Sequence, residues 1–174
     1  MPVVQRLFVA LDLPNGIRAT LAALPIDRAT WRPIPEQNLH VTLAFLGNRP
    51  ETDVELIAPI IEAEHEGPEL SLGNVRSFGR VLAAEIAGPL APLQARVAKS
   101  LEGVGVYTPE TRPFRPHVTL ARLRPRTKSP RGTSLTLELR SFHGEAVTLY
   151  ASRLHPDGAR YEALVTSRLG YIQP

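Results

Sequence analysis

Apolar and polar positions alternate with a period of two along most of this chain, and a helical period replaces it in three stretches. Alternation predicts a strand over 6–13, where Leu7, Val9 and Leu11 oppose Phe8, Ala10 and Asp12; Pro14-Asn15-Gly16 ends it. Further strands are predicted over 39–46, closed by Gly47-Asn48, and over 70–78 and 81–87, which flank Gly79-Arg80. The pattern places others over 117–123, 135–141, 147–154 and 160–167, with turns near His143-Gly144 and at His155-Pro156-Asp157-Gly158. Helices are predicted over 15–24, over 51–64 with Val54, Ile57, Ala58 and Ile61 as its stripe, and over 89–101 with Leu90, Leu93, Val97 and Leu101 on one face. Pro59 should kink or split the second helix. The segments 31–37, with Pro33 and Pro35, and 107–115 read as loops. Few helices and no steady β–α alternation predict an α+β fold of largely antiparallel sheet.

With 174 residues, 43% of them apolar, the chain can bury one sizeable core, as one domain over 1–174 or as two small lobes sharing an interface. The absence of cysteine excludes disulfides, thiolate metal sites and a catalytic thiol. The opening residues lack a signal-peptide cleavage pattern, and no apolar run reaches the ~20 residues that cross a bilayer. A cytoplasmic protein with no membrane association is expected. The net charge is +3, and the choice of base is uneven: 18 of the 20 basic residues are Arg. Arg112, Arg115, Arg122, Arg124, Arg126, Lys128 and Arg131 fall in one stretch free of acids, the footprint of a site for an anion.

The most informative feature is a repeat: His40-Val41-Thr42-Leu43-Ala44 recurs letter for letter as His117-Val118-Thr119-Leu120-Ala121. In a strand, His and Thr two residues apart share one face while Val and Leu take the other. Two such strands facing one another would gather two imidazoles and two hydroxyls around one small substrate. That set suits cleavage of a phosphodiester. One imidazole removes a proton from the attacking oxygen, the other protonates the departing oxygen, and the Thr hydroxyls donate to nonbridging oxygens.

These stretches resemble the 2H phosphoesterases, in particular the RNA 2′,3′-cyclic phosphodiesterases also called 2′-5′ RNA ligases. The likeness runs through Arg6-Leu7-Phe8-Val9-Ala10, residues 35–47, residues 112–122 and Leu149-Tyr150-Ala151-Ser152. It implies two pseudo-symmetric lobes, each a sheet backed by helices, with the His-x-Thr strands lining the cleft between them. It further implies that His40 is the proton donor and His117 the proton acceptor, with Thr42 and Thr119 on the phosphate. Phe45 and Arg122, each five residues after its histidine, match positions that stack on a base and grip a phosphate. The implied reaction opens a terminal RNA 2′,3′-cyclic phosphate to a 2′-phosphate, with ATP-independent 2′-5′ ligation when a 5′-hydroxyl replaces water. RNA ends or a small cyclic nucleotide would be the partners of a monomeric enzyme that uses no cofactor. Two departures stand out: Val81-Leu82-Ala83-Ala84 lacks an aromatic, and Ala151 stands where the family often has Glu.

His65, His143 and His155 read as structural, and no metal-ligand spacing joins them, so no metal site is expected. Alternatives within the same chemistry are ADP-ribose cyclic phosphate or 2′-5′ oligoadenylate as substrate. An alternative outside it is a noncatalytic RNA-binding module built on the Arg-rich loops.

Overall fold

The structure, a computed structural model, describes residues 3–171 apart from 131, 133 and 139; Arg131 of the basic stretch and Leu139 of a predicted strand lie outside the described residues. Twelve strands and three helices follow in the order β1 (Val4–Asp12), α1 (Asn15–Ala22), β2 (Trp31–Pro33), a 3-10 turn (Glu36–Asn38), β3 (His40–Pro50), α2 (Asp53–Glu62), β4 (Glu66–Gly67), β5 (Glu69–Phe78) and β6 (Val81–Ala87). The chain continues through α3 (Ala91–Gly103), β7 (His117–Leu123), β8 (Ser134–Leu135), β9 (Ser141–His143), β10 (Ala146–His155), β11 (Gly158–Arg168) and β12 (Gly170–Tyr171). The fold is α+β. No helix among the described residues is long and apolar enough to cross a membrane.

Ten strands form one sheet with the order β11-β10-β1-β3-β7-β6-β5-β8, while β2 pairs with β7 and β9 with β5. Every pairing in it is antiparallel. The sheet divides naturally at β3–β7, which meet through one residue pair, Val41 opposite Val118. One wing is β3-β1-β10-β11 and the other β7-β6-β5 with its short edge strands, so each motif strand heads its own wing.

Alternation explains which side of the first wing is dry. Leu7, Val9 and Leu11 of β1 and Val147, Leu149 and Ala151 of β10 are all buried in the core. Helix α2 packs over β10 and β11, and α3 over β3. Ile57, Ile61, Leu93, Val97 and Leu101 supply the helical side of this layer, each contributing on the order of 1.5–3 kcal/mol by leaving water. The opposite side of the sheet carries Phe8, Asp12, His40, Thr42 and Tyr150.

Four local features differ from the sequence pattern. Gly47 does not end β3: at φ +71° it absorbs a bulge that leaves Leu46 unpaired, and the strand runs on to Pro50. Pro59 does not split α2, because Ile57 and Ile61 on either side are fully buried and the Ala63 N–H still bonds the Pro59 carbonyl at 3.1 Å. Pro59 itself is exposed, and so is Glu55, the residue whose carbonyl the proline ring deprives of a partner. Residues 31–33 form strand β2 instead of loop, held by the fully buried Trp31, with Pro33 at the strand end where a missing donor costs least. The strand predicted over 135–141 is two short pieces, β8 and β9, so His143 closes a strand and does not sit in a turn.

Candidate active site

The seam between the wings builds the site. With Val41 opposite Val118 in antiparallel register, the residues one step away place His40 beside Thr119 and Thr42 beside His117. Both valines are fully buried, so the four polar side chains share the other face. The exact repeat thus folds into a near two-fold arrangement of two imidazoles and two hydroxyls.

A second repeated device brings in the residues five positions on. Strict alternation would send Phe45 and Arg122 to the face opposite their histidines. Each strand instead carries a one-residue bulge. In β3 the register against β1 skips Leu43, between Ala10–Thr42 and Val9–Ala44; in β7 the register against β6 skips Leu120, between Ala83–Thr119 and Leu82–Ala121. Leu43-Ala44 and Leu120-Ala121 are consequently buried side by side, and the parity of the strand inverts after them. Phe45 and Arg122 return to the histidine face. The Arg6 guanidinium lies over the Phe45 ring at 4.8 Å, and the Arg122 charge bears on His40 and Tyr161.

Each imidazole is held by the backbone two residues before it. His40 Nδ1 lies 2.7 Å from the Asn38 carbonyl oxygen and His117 Nδ1 lies 2.8 Å from that of Arg115. A carbonyl only accepts, so both Nδ1 atoms carry the proton and both Nε2 atoms are left for chemistry. His40 Nε2 is 3.1 Å from Thr42 Oγ1. The Asn38 side chain donates to the Ala159 carbonyl at 2.9 Å, which ties the turn that orients His40 to β11.

The surroundings of the two rings differ. His40 packs against Phe8 at 5.0 Å between ring centres and edge-on against Tyr161 at 5.5 Å, with Tyr150 stacked behind Phe8 at 5.3 Å. Burial in this aromatic box pushes the His40 imidazole below its ordinary pKa; the Asn38 carbonyl and the Asp12 charge oppose that, and His117 and Arg122 add to it. His117 is exposed. Burial likewise raises the Tyr161 phenol, against the pull of Arg122 and Arg6.

The sheet therefore brings together all six residues singled out in the sequence: His40, Thr42, Phe45, His117, Thr119 and Arg122. Of the rest of the basic stretch, Arg124 is committed to structure, its Nε donating to the Arg28 carbonyl at 2.8 Å. Ala151 is buried on the core side of β10, whereas Val81 lies across from Arg122 on the site face. Residues missed from sequence are Arg6, Phe8 and Asp12 on β1, Tyr150 on β10, Tyr161 on β11 and Glu85 on β6. Their common signal is position: Arg6, Phe8 and Asp12 sit at even steps opposite the Leu7-Val9-Leu11 face. Among the described residues no cluster of three or more His, Asp or Glu is arranged to hold a metal.

The model of the 2′-5′ RNA ligase superfamily matches residues 17–155. The RNA 2′,3′-cyclic phosphodiesterase of Thermus thermophilus is 32% identical to this chain over 92% of it and 88% of that protein. The Escherichia coli protein of the same name is 31% identical over 92% and 94%. The crystal structure of E. coli LigT complexed with 3′-AMP superposes with a TM-score of 0.79 at 28% identity, covering 96% of this chain and 99% of the other. The chain belongs to the 2′-5′ RNA ligase superfamily, a family of 2H phosphoesterases.

Proposed function

We propose that the protein hydrolyses a terminal RNA 2′,3′-cyclic phosphodiester to a 2′-phosphomonoester, with His117 as base and His40 as acid. The observation that carries this is the set of four side chains around the Val41–Val118 pair, with both Nδ1 atoms bonded to backbone carbonyls and His40 Nε2 within hydrogen-bond distance of Thr42 Oγ1. Its relatives' shared name, RNA 2′,3′-cyclic phosphodiesterase, supports the substrate class. His117 Nε2 takes a proton from water as its oxygen bonds to phosphorus; the bond to the 3′ oxygen breaks, and His40 Nε2–H delivers the proton to that oxygen. Thr42 and Thr119 donate to the nonbridging oxygens and Arg122 balances the charge that builds there. Phe45 offers a ring to the terminal base. A 5′-hydroxyl in place of water gives a 2′-5′ linkage by the same transfers, without ATP.

The acid needs a proton that burial disfavours. A phosphodiester seated between Thr42 and Thr119 places a negative charge beside His40 and favours the imidazolium as the substrate arrives. This reading takes residues 1–174 as one bilobal unit, acting as a cytoplasmic monomer on RNA ends without a cofactor. The test is turnover of nucleoside and oligonucleotide 2′,3′-cyclic phosphates in EDTA, with product analysis. A 2′-phosphate product and a bell-shaped pH profile are expected; RNA binding without turnover would leave a noncatalytic binding module instead.

A further inference from the structure

Asp12 lies directly across from His40 in the β1–β3 register and is on the same face of the sheet. Both of its carboxylate oxygens accept hydrogen bonds: Oδ2 from Thr148 Oγ1 at 2.6 Å and Oδ1 from Tyr150 OH at 2.8 Å. Thr148 is fully buried, and Thr166 Oγ1 stands 3.1 Å behind its hydroxyl. Two hydroxyl donors on two acceptor oxygens is the pattern of an ionised carboxylate. Burial raises the Asp12 carboxyl, and these two donors, His40 and Arg18 act against that rise.

Resting on the acid role given to His40, we propose that Asp12 is a positioning residue for catalysis, the fixed counter-charge that lets this imidazole carry a proton inside its aromatic box. The other wing provides the contrast. The position across from His117 is Glu85, which is 40% exposed at its side chain and drawn toward Arg76 at 3.5 Å. Among the described residues only the acid side has, across from its histidine, a carboxylate held in place by two hydroxyl donors. The groups facing this pair are Arg18 from α1, Thr148 and Tyr150 from β10, Tyr161 and Thr166 from β11, and His117 and Arg122 from β7. On its far side Asp12 borders a pocket of about 210 Å³ with Arg18, Glu145 and Arg168. Arg168 is engaged there by Glu145 at 3.2 Å, which leaves Asp12 the acid opposite His40.

The direct test is the NMR titration of the His40 ring in the free protein, assigned by loss of its signals in His40→Gln. Asp12→Asn keeps the size and one of the two acceptor oxygens but removes the charge, so the His40 midpoint should move to lower pH by ~0.5 unit or more. The high-pH limb of kcat/KM, which reports the protonated acid, should move the same way. Asp12→Glu should restore much of both. If Asp12→Asn does not fold, the Thr148→Val/Tyr150→Phe double variant serves instead. Stripping both donors raises the carboxyl further and neutralises it earlier, which shifts His40 in the same direction. An unmoved His40 midpoint in the folded variant overturns the proposal. A wild-type protein whose His40 responds to Asp12 as expected but which opens no cyclic phosphate overturns the proposed function and leaves the electrostatic pairing standing.

Discussion

Across from His40, Thr42 and Phe45 on the first wing stand Asp12, Ala10 and Phe8; across from His117, Thr119 and Arg122 on the second stand Glu85, Ala83 and Val81. The frame is the same in both, down to the bulge, and the small residue facing each threonine is Ala in both. The contents diverge at the two ends. The first wing surrounds its imidazole with Phe8, Tyr150 and Tyr161, whereas the second leaves its imidazole exposed. On the proposed mechanism the repeated strand sets where the chemistry occurs, and the unrepeated neighbours divide the roles: a dry, ring-lined side for the nucleobase and the acid His40, an exposed side for the base His117 and the entering water.

The strongest test of the shared frame is to remove either imidazole. His40→Ala and His117→Ala should each lower kcat by ~10²- to 10⁴-fold on a cyclic nucleotide, with the fold retained by circular dichroism. Unchanged turnover in both would sink the paired mechanism. Next in size comes the division of labour. Arg122→Ala should raise KM by roughly 10-fold or more, as befits a charged contact worth ~1.5–3 kcal/mol, for mononucleotide and oligonucleotide alike. Phe45→Ala should cost ~1–3 kcal/mol of binding that depends on the base and disappears with an abasic cyclic phosphate.

Stability offers a third comparison. Because burial disfavours the His40 imidazolium, the unfolded chain, with an imidazole near ~6.5, takes up this proton first. The neutral ring's contribution is present above that pH and is lost as pH falls through the folded-state value. Urea midpoints between pH 7.5 and 5 should fall less steeply in His40→Gln than in the wild type. The smallest effect should come from the second wing's ion pair. Arg76→Ala should change kcat/KM by less than about fivefold, because a half-exposed pair contributes at most ~1 kcal/mol.

Much of the frame was legible in the letters. The β7 boundaries, the α3 stripe and the β5–β6 hairpin follow from local period and turn residues, and the repeat named both motif strands. What was not legible depends on which strand lies beside which. Asp12 reads as an interruption in an apolar run until β1 is known to pair with β3 and β10. Tyr150 and Tyr161 are distant in sequence from His40 and reach it only through the β10–β11 hairpin. Phe45 and Arg122 came from family likeness alone, since simple alternation puts them on the wrong face. Gly47 and Pro59 signal breaks by local rule, but strand pairing and buried isoleucines on either side carried the elements through them.

The seam at Val41–Val118 is one residue pair wide, and it lies between the two histidines. The wings thus join at the place where the two histidines stand, like a caliper whose joint and measuring tips coincide. Any rotation of one wing against the other would change the gap between the two imidazoles. Behind that join α3 rests on β3 and β2 is laid along β7, so the spacing of the two imidazoles is set by packing away from the face that carries them.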